Sequence, residues 1–245
     1  MPEIPSVRGE AAGRYLDAVS ELLARARAAN GPAIVQAADL VAHTVAADGI
    51  IRLFGSGHSH LLALEAAGRA GGFSGVDVIV DPGLGRAETL EGYGSILVRD
   101  QVWEARDCLF VISHSGRNPA PIEVALAGRS AGLPTIALTA LDYSRASTSR
   151  HSSGKRLFEV CDLVLDTVGV PGDAAIAIAG APVPTGALST VVGAALLGAV
   201  LVEAVAELVR IGVEPPLIRS YNLDGSEAHN AAMFGRYRGR VTRAI

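Results

Sequence analysis

The chain of 245 residues is 49% hydrophobic and 19% charged, with a formal net charge of −4. That balance excludes extensive disorder and a nucleic-acid partner held by bulk positive charge. Lys155 is the only lysine, and Cys108 and Cys161 stand apart rather than in a CxxC pair, so a Schiff base has one possible residue and a disulfide framework or paired-cysteine zinc site is excluded.

The opening "MPEIPSVRGE" is polar and has no apolar signal-peptide core, so a cytoplasmic location with two reduced, buried thiols is expected. Residues 13–47 read as helical, with Leu16, Val19, Leu22, Leu23 and Ala26 on one stripe. Gly31 and Pro32 are predicted to divide this stretch into two helices. Residues 1–34 then form an N-terminal helical segment leading into a single domain over 35–245.

Short apolar runs follow: "GIIRLFGSG", "VDVIVDPG", "DCLFVISHSG", "PTIALTA" and "DLVLDT". Helical stretches, Leu61 to Ala70, Glu91 to Ala105 and Ile122 to Ala131, separate most of them. Fully apolar strands alternating with helices predict a five-stranded parallel sheet, doubly wound into a three-layer α/β/α sandwich. No charge occurs from Ala174 through Val202, a length that could cross a membrane. Pro182, Pro184, Glu203, Glu207 and the many small residues favour a buried helix instead, and no membrane contact is expected.

In doubly wound sheets ligands bind beyond the carboxyl ends of the strands, so the turns leaving the strands carry the functional argument. The first is "FGSGHSH", with Gly55, Ser56, Gly57, His58, Ser59 and His60. A dinucleotide fingerprint would need glycine where His60 stands, although Asp81 ends the next strand at a suitable distance. A phosphate-binding P-loop around Lys155 fails twice, at Ser149 and Arg156. A zinc held by His58 and His60 would need two or three further ligands, from His229 or a carboxylate. No cofactor and no metal are expected.

The third strand ends in "SHSGRN". Ser113, Ser115 and Asn118 offer hydroxyls and an amide, Gly116 permits close backbone approach, and a helix begins just beyond. Such a turn is a neutral, donor-rich cradle for a compact anion. Thr139, ending the next strand, adds a hydroxyl at the same sheet edge. Serines also simply cap helices, but two serine-bearing turns at adjacent strand ends point to a site.

"FGSGHSH" followed by "VISHSGRNPAPIEVALAGRSAGLPTIALTA" resembles the sugar isomerase (SIS) domain family. "EAAGRAGG", "LEGYG", "GKRLFEVCDLVLD", "PGDAAI", "LSTVVG" and "SYNLDGSEAHN" extend the likeness over residues 35–240, to stand-alone SIS proteins described as phosphosugar isomerases. The resemblance implies a phosphorylated sugar as ligand, its phosphate held by Ser113, Ser115 and Asn118 and its sugar by Ser56 and Ser59. It also implies a homodimer or homotetramer with sites completed by the neighbouring subunit. The family's catalytic Glu and His do not align cleanly here.

Aldose–ketose isomerisation needs a base to move a proton between adjacent carbons and groups to move oxygen-bound protons. Glu65, Glu88 and Glu91 lie near strand ends, as do His58, His60 and His114; Glu91 is favoured as base, with Glu65 second. Glu65 could instead pair with Arg69 at i+4, and Glu88 or Glu91 could simply sit at a helix N-terminus. In "SYNLDGSEAHN", Asn222, Asp224, His229 and Asn230 could close over a neighbour's pocket, with His229 shuttling protons; a turn at Asp224-Gly225 before a capped helix is the plainer alternative. The expectation is a sugar-phosphate isomerase, with an etherase or lyase using the same carboxylate, or a non-catalytic sensor, as alternatives.

Overall fold

The computed structural model describes residues 9–241; residues 1–8, which hold most of the polar opening and the start of the expected N-terminal segment, lie outside it. The first helix, α1 (Glu10–Ala46), runs unbroken through Pro32, where two helices were expected. Its buried residues Leu22, Ala26, Asn30, Ala37, Val41 and Val45 stay in phase on both sides of the proline. Gly31, Pro32 and Ala28 face solvent, so the carbonyl that loses its partner to proline remains accessible to water. Packing of the long stripe therefore outweighs the local cost of Pro32. Leu16, assigned to that stripe, is 63% exposed.

The strands are β1 (Ile51–Gly55), β2 (Val76–Ile79), β3 (Cys108–Ile112), β4 (Thr135–Thr139) and β5 (Leu163–Asp166). They form one sheet in the order β2-β1-β3-β4-β5 with every pair parallel. Side chains alternate between two cores, as the pleat requires. Ile51, Leu53, Cys108, Phe110 and Ile112 join α1, α2 (His58–Ala66) and α6 (Ser189–Arg210). Phe54, Leu109 and Val111 join α3 (Tyr93–Val98) and α4 (Pro119–Ser130). The five-stranded, three-layer α/β/α sandwich predicted from the strand pattern is the observed architecture.

Boundaries differ where tertiary contacts intervene. α4 begins at Pro119 rather than Ile122, because proline suits the first helical turn. α3 ends at Val98, well before Ala105, and the following segment turns inward to present Gln101 and the Val102 carbonyl to Arg52. Residues 174–187, within the charge-free stretch, form a small antiparallel pair, β6 (Ala174–Ile176) and β7 (Thr185–Ala187). α6 is long and apolar enough to span a membrane, yet it packs on α1 and α2 through Val192, Leu196, Val200 and Leu208. Only that face is covered; Val202 and Val209 are exposed. α5 (Leu141–Ala146) and α7 (Ser226–Gly235) complete the helices. Both thiols are free, and burial pushes each up to about 12.

Candidate functional site

From β1 the chain turns to α2 on one face of the sheet, and from β3 to α4 on the other. The carboxyl ends of these neighbouring strands therefore flank the point where the winding reverses, the place where such sheets form a crevice. A cleft of about 690 Å³ opens there, lined by residues 56–59 and 113–118 together with the segments around Glu88, Tyr143, Asp173 and Ser189.

The first turn is built on glycine. Gly57, which caps α2, has φ 58° and ψ −130°, a combination that only glycine adopts without strain. The loop after β2 is laid directly upon it: a Cβ on Gly85 would stand 2.7 Å from the Gly57 Cα. Asp81, fully buried beneath that loop, accepts hydrogen bonds from the hydroxyls of Ser56 and Tyr93, both at 2.6 Å, and from the N–H groups of Gly83 and Gly85 at 3.0 and 2.8 Å. Burial alone would raise its pKa, but these donors together hold it below the ordinary carboxylate value. With both oxygens occupied inside the protein, Asp81 has no capacity for the ribose that a dinucleotide reading would give it. His60 is buried and does not line the cleft.

The second turn offers the donors. Ser113 Oγ accepts the Gly116 N–H at 3.2 Å and so shapes the loop. Gly116 has φ 60°, and a Cβ there would meet Ser144 Oγ at 2.6 Å and Thr139 Oγ1 at 3.0 Å. Thr139 therefore supports the loop from below, donating to the His114 carbonyl at 3.2 Å, and is not part of the cleft surface. Among the described residues, the N–H groups of Ser115, Arg117 and Asn118 have no protein acceptor. Further along α4 the supply ends, because Pro119 and Pro121 carry no N–H and Ala120 donates to the Glu88 carbonyl at 3.1 Å. The anion cradle is thus the loop itself, aided by the helix dipole behind it.

The amide of Asn118 is already engaged. Its Nδ2 donates to Glu88 Oε1 at 2.8 Å and its Oδ1 accepts from Arg150 Nη1 at 2.9 Å. Burial, and then the nearby charge of Asp81, raise the Glu88 pKa above its ordinary value, despite opposing contributions from Ser56, Arg150 and Asn118. Glu88 is therefore a carboxylate inside the cleft that takes up a proton more readily than an exposed one. Opposite it, Asp173 caps α6, accepting from the Leu188 and Ser189 N–H groups and the Ser189 hydroxyl at 3.0, 2.7 and 2.7 Å. Burial acts to raise Asp173 as well, but these Ser189 and Leu188 donors lower it overall.

Of the residues singled out in the sequence, the cleft gathers Ser56, Gly57, His58 and Ser59, then Glu88, and Ser113, His114, Ser115 and Asn118. Gly55 closes β1 beneath the turn, where a Cβ would meet the Ser59 carbonyl at 2.3 Å. Glu91, favoured as base, lies outside the lining, exposed, accepting from the Ser152 backbone and hydroxyl. Glu65 points outward from α2, paired with Arg69, on a separate apolar groove. His229 makes no hydrogen bond to a group of the cleft; its Nε2 lies 2.8 Å from the Leu217 carbonyl. Asn230 clamps both the N–H and the carbonyl of Arg219, at 2.8 and 2.9 Å, and Asn222 is exposed away from the cleft. Among the described residues no three His, Cys, Asp or Glu side chains are placed to hold a metal.

Arg150 and Asp173 went unnoticed in the sequence. Arg150 stands in a serine-rich stretch with no local pattern, and only the return of that segment over α4 brings it to Asn118. The "PGDAAI" likeness did contain Asp173, but nothing in its spacing announced a cap for a helix fifteen residues on.

The SIS domain profile matches residues 14–140, which run from α1 through both serine-bearing turns to the end of β4. The chain belongs to the SIS domain family, as one of its UPF0309 proteins. It is 37% identical over 238 residues to a UPF0309 protein of Shouchella clausii, covering 93% of this chain and 97% of that one. The corresponding protein of Listeria monocytogenes is 41% identical over 227 residues, with 93% and 97% covered. Among solved structures, the phosphoheptose isomerase GmhA of Neisseria gonorrhoeae has the same fold, with a TM-score of 0.58 at 20% identity, covering 82% of this chain and all 100% of that one. The NanR protein of Vibrio vulnificus, solved with ManNAc-6P, matches with a TM-score of 0.50 at 15% identity over 84% of this chain and 64% of that one.

Proposed function

We propose that the cleft binds a phosphorylated sugar and interconverts its aldose and ketose forms through an enediol. The observation that carries this reading is Glu88: a half-buried carboxylate with raised proton affinity, held by Asn118 beside a loop of unpartnered N–H groups. A phosphate seated on residues 113–118 would accept from the N–H groups of Ser115, Arg117 and Asn118 and from the hydroxyls of Ser113 and Ser115. The sugar then extends toward Ser56, His58 and Ser59. Glu88 removes the proton from the carbon beside the carbonyl and returns it to the adjacent carbon; a carboxylate whose surroundings raise its proton affinity suits that exchange.

The phosphoheptose isomerase and the ManNAc-6P complex with the same fold support a sugar phosphate as ligand. In this reading the protein acts in the cytoplasm as a homo-oligomer, pairing through the exposed apolar face of α6 that includes Val191 and Val202. The test is a panel of hexose, pentose, heptose and amino-sugar phosphates, followed by thermal shift and by proton NMR in D₂O. Binding by at least one sugar with solvent deuterium entering its carbon 2 is expected. Binding without exchange would leave a sensor, and no binding across the panel would overturn the reading.

A further inference from the structure

Below the cleft, between the end of β5 and α6, lies a chamber of about 20 Å³ lined in part by Ile112, His114, Thr167 and Thr190. It adjoins the cleft, with Ser59, His114, Ser189 and Thr190 lining both. Roughly 10–15 Å³ is enough for one water.

Two of the chamber's polar atoms are buried and have no protein partner: Nδ1 of His114 and Oγ1 of Thr167. The His114 ring is held by three contacts. Its Nε2 lies 2.9 Å from the Val170 carbonyl, its centre stands 5.6 Å from that of the tilted Tyr143 ring, and its edge fills the space that a side chain at Gly169 would take. A Cβ at Gly169 would stand 2.4 Å from His114 Cε1, 3.3 Å from Nδ1 and 3.4 Å from Thr167 Oγ1. Both orphaned atoms thus lie around one point. The Val170 carbonyl can only accept, so the hydrogen of the neutral ring sits on Nε2, and Nδ1 presents a lone pair. Buried polar atoms are satisfied in folded proteins by protein or by water, and this pair adjoins a space sized for one.

We infer that the chamber holds a single water bound to His114 Nδ1 and Thr167 Oγ1, and that this water carries the oxygen-bound proton of the isomerisation. The inference rests on the isomerase reading above. Glu88 moves the carbon-bound proton; in the same conversion one sugar oxygen must lose a proton and its neighbour must gain one. The sugar hydroxyl gives its proton to the chamber water while that water passes one of its own to Nδ1, leaving an imidazolium. The reverse transfer delivers a proton through the water to the former carbonyl oxygen. One proton leaves one oxygen and arrives at the other, and no electrons enter or leave.

Two measurements on the full chain test this. In the ligand-free protein, histidine ¹⁵N NMR should report His114 as the Nε2–H tautomer, and Thr167 should give an Overhauser contact to a long-lived water that Thr167→Val removes. With a sugar phosphate that the wild type turns over, Thr167→Val and His114→Gln should lower product formation by about 100-fold or more while deuterium exchange at carbon 2 stays close to the wild-type rate. Thr167→Ser, which keeps the hydroxyl, should restore product formation. Equal losses of exchange and product in both variants, or no bound water in the wild type, would overturn the inference. A wild type that binds sugar phosphates yet exchanges none would overturn the isomerase reading and the proton role together, whereas the bound water is judged by the NMR contact alone.

Discussion

The two ends of the parallel sheet are finished in opposite ways. At the amino ends of its strands, Arg52 of β1 is buried among Asp77, Asp107, Gln101 and the Val102 carbonyl, with its guanidinium over the Trp103 ring. Asp107 is saturated: Oδ1 accepts from the Ile50 N–H and from Arg240, both at 2.9 Å, and Oδ2 from Arg52 Nε at 3.0 Å. At their carboxyl ends, polar groups are gathered and left with spare capacity: the N–H groups of residues 115, 117 and 118, His114 Nδ1, Thr167 Oγ1 and the raised carboxyl of Glu88. Full satisfaction fixes the sheet, whereas spare capacity is what a ligand can use.

The largest expected effect tests the open end. Glu88→Gln should cut isomerisation by about 10²- to 10⁴-fold, the usual worth of a general base, and should raise thermal stability at neutral pH. The sign follows from the raised pKa. Stability from the protonated carboxyl is complete below its ordinary value of 4.5 and is lost as pH rises through the raised folded-state value. At neutral pH the wild type holds a carboxylate its site disfavours, and glutamine removes that burden. Melting curves at pH 4 and pH 7.5 should show the variant's advantage only at the higher pH; a variant that melts lower there would break the contrast.

The closed end should answer in the opposite way. Arg52→Met leaves Asp77 and Asp107 buried without their shared cation, a loss of about 3–5 kcal/mol, or on the order of 10 °C in Tm. Ligand affinity in the surviving folded protein should be unchanged. A variant that melts within about 2 °C of wild type would mean that the ion cluster is not what secures the strand ends.

How far the sequence anticipated each end follows from the kind of signal each carries. Apolar runs with a turn after each are local, so all five strands and the doubly wound class could be read directly, as could both serine-bearing turns. The role of each residue in those turns could not. Thr139 and Gly116 shape the loop, and Asn118 is spent on Glu88, because segments distant in sequence decide which face of each residue is free. Pro32 misled for a related reason: a breaker is a local signal, and the stripe that carries α1 past it is a tertiary one. Arg52 lay unremarked inside an apolar strand, since its partners come from three other segments.

Ser115→Ala sharpens the contrast on a smaller scale. Its hydroxyl lines the cleft and makes no hydrogen bond among the described residues, so its loss should leave Tm unaltered. A hydrogen bond to a charged group contributes about 1.5 kcal/mol or somewhat more, so affinity for the sugar phosphate should fall about tenfold, read by titration calorimetry. Lost stability with unaltered affinity would place this serine with Gly116 and Thr139 as loop support.

The smallest effect is also the most discriminating, because Glu91 lies only three residues from Glu88. The Ser152 hydroxyl and N–H, with His151 beyond them, lower the pKa of Glu91 against a small opposing effect of burial, whereas burial raises Glu88. A lowered pKa means that any stability Glu91 provides is present above 4.5 and is lost as pH falls through the lowered value; on an exposed side chain, solvent and salt screen it. A base must reach the substrate and hold a proton, and Glu91 is arranged for neither. Glu91→Gln should therefore leave turnover within about twofold of wild type, measured beside Glu88→Gln with the same sugar. A loss of two orders of magnitude would show that Glu91 enters the working site in solution, as it would if the segment around Ser152 swings away when ligand binds. The two carboxylates would then have to exchange the roles that their surroundings assign them.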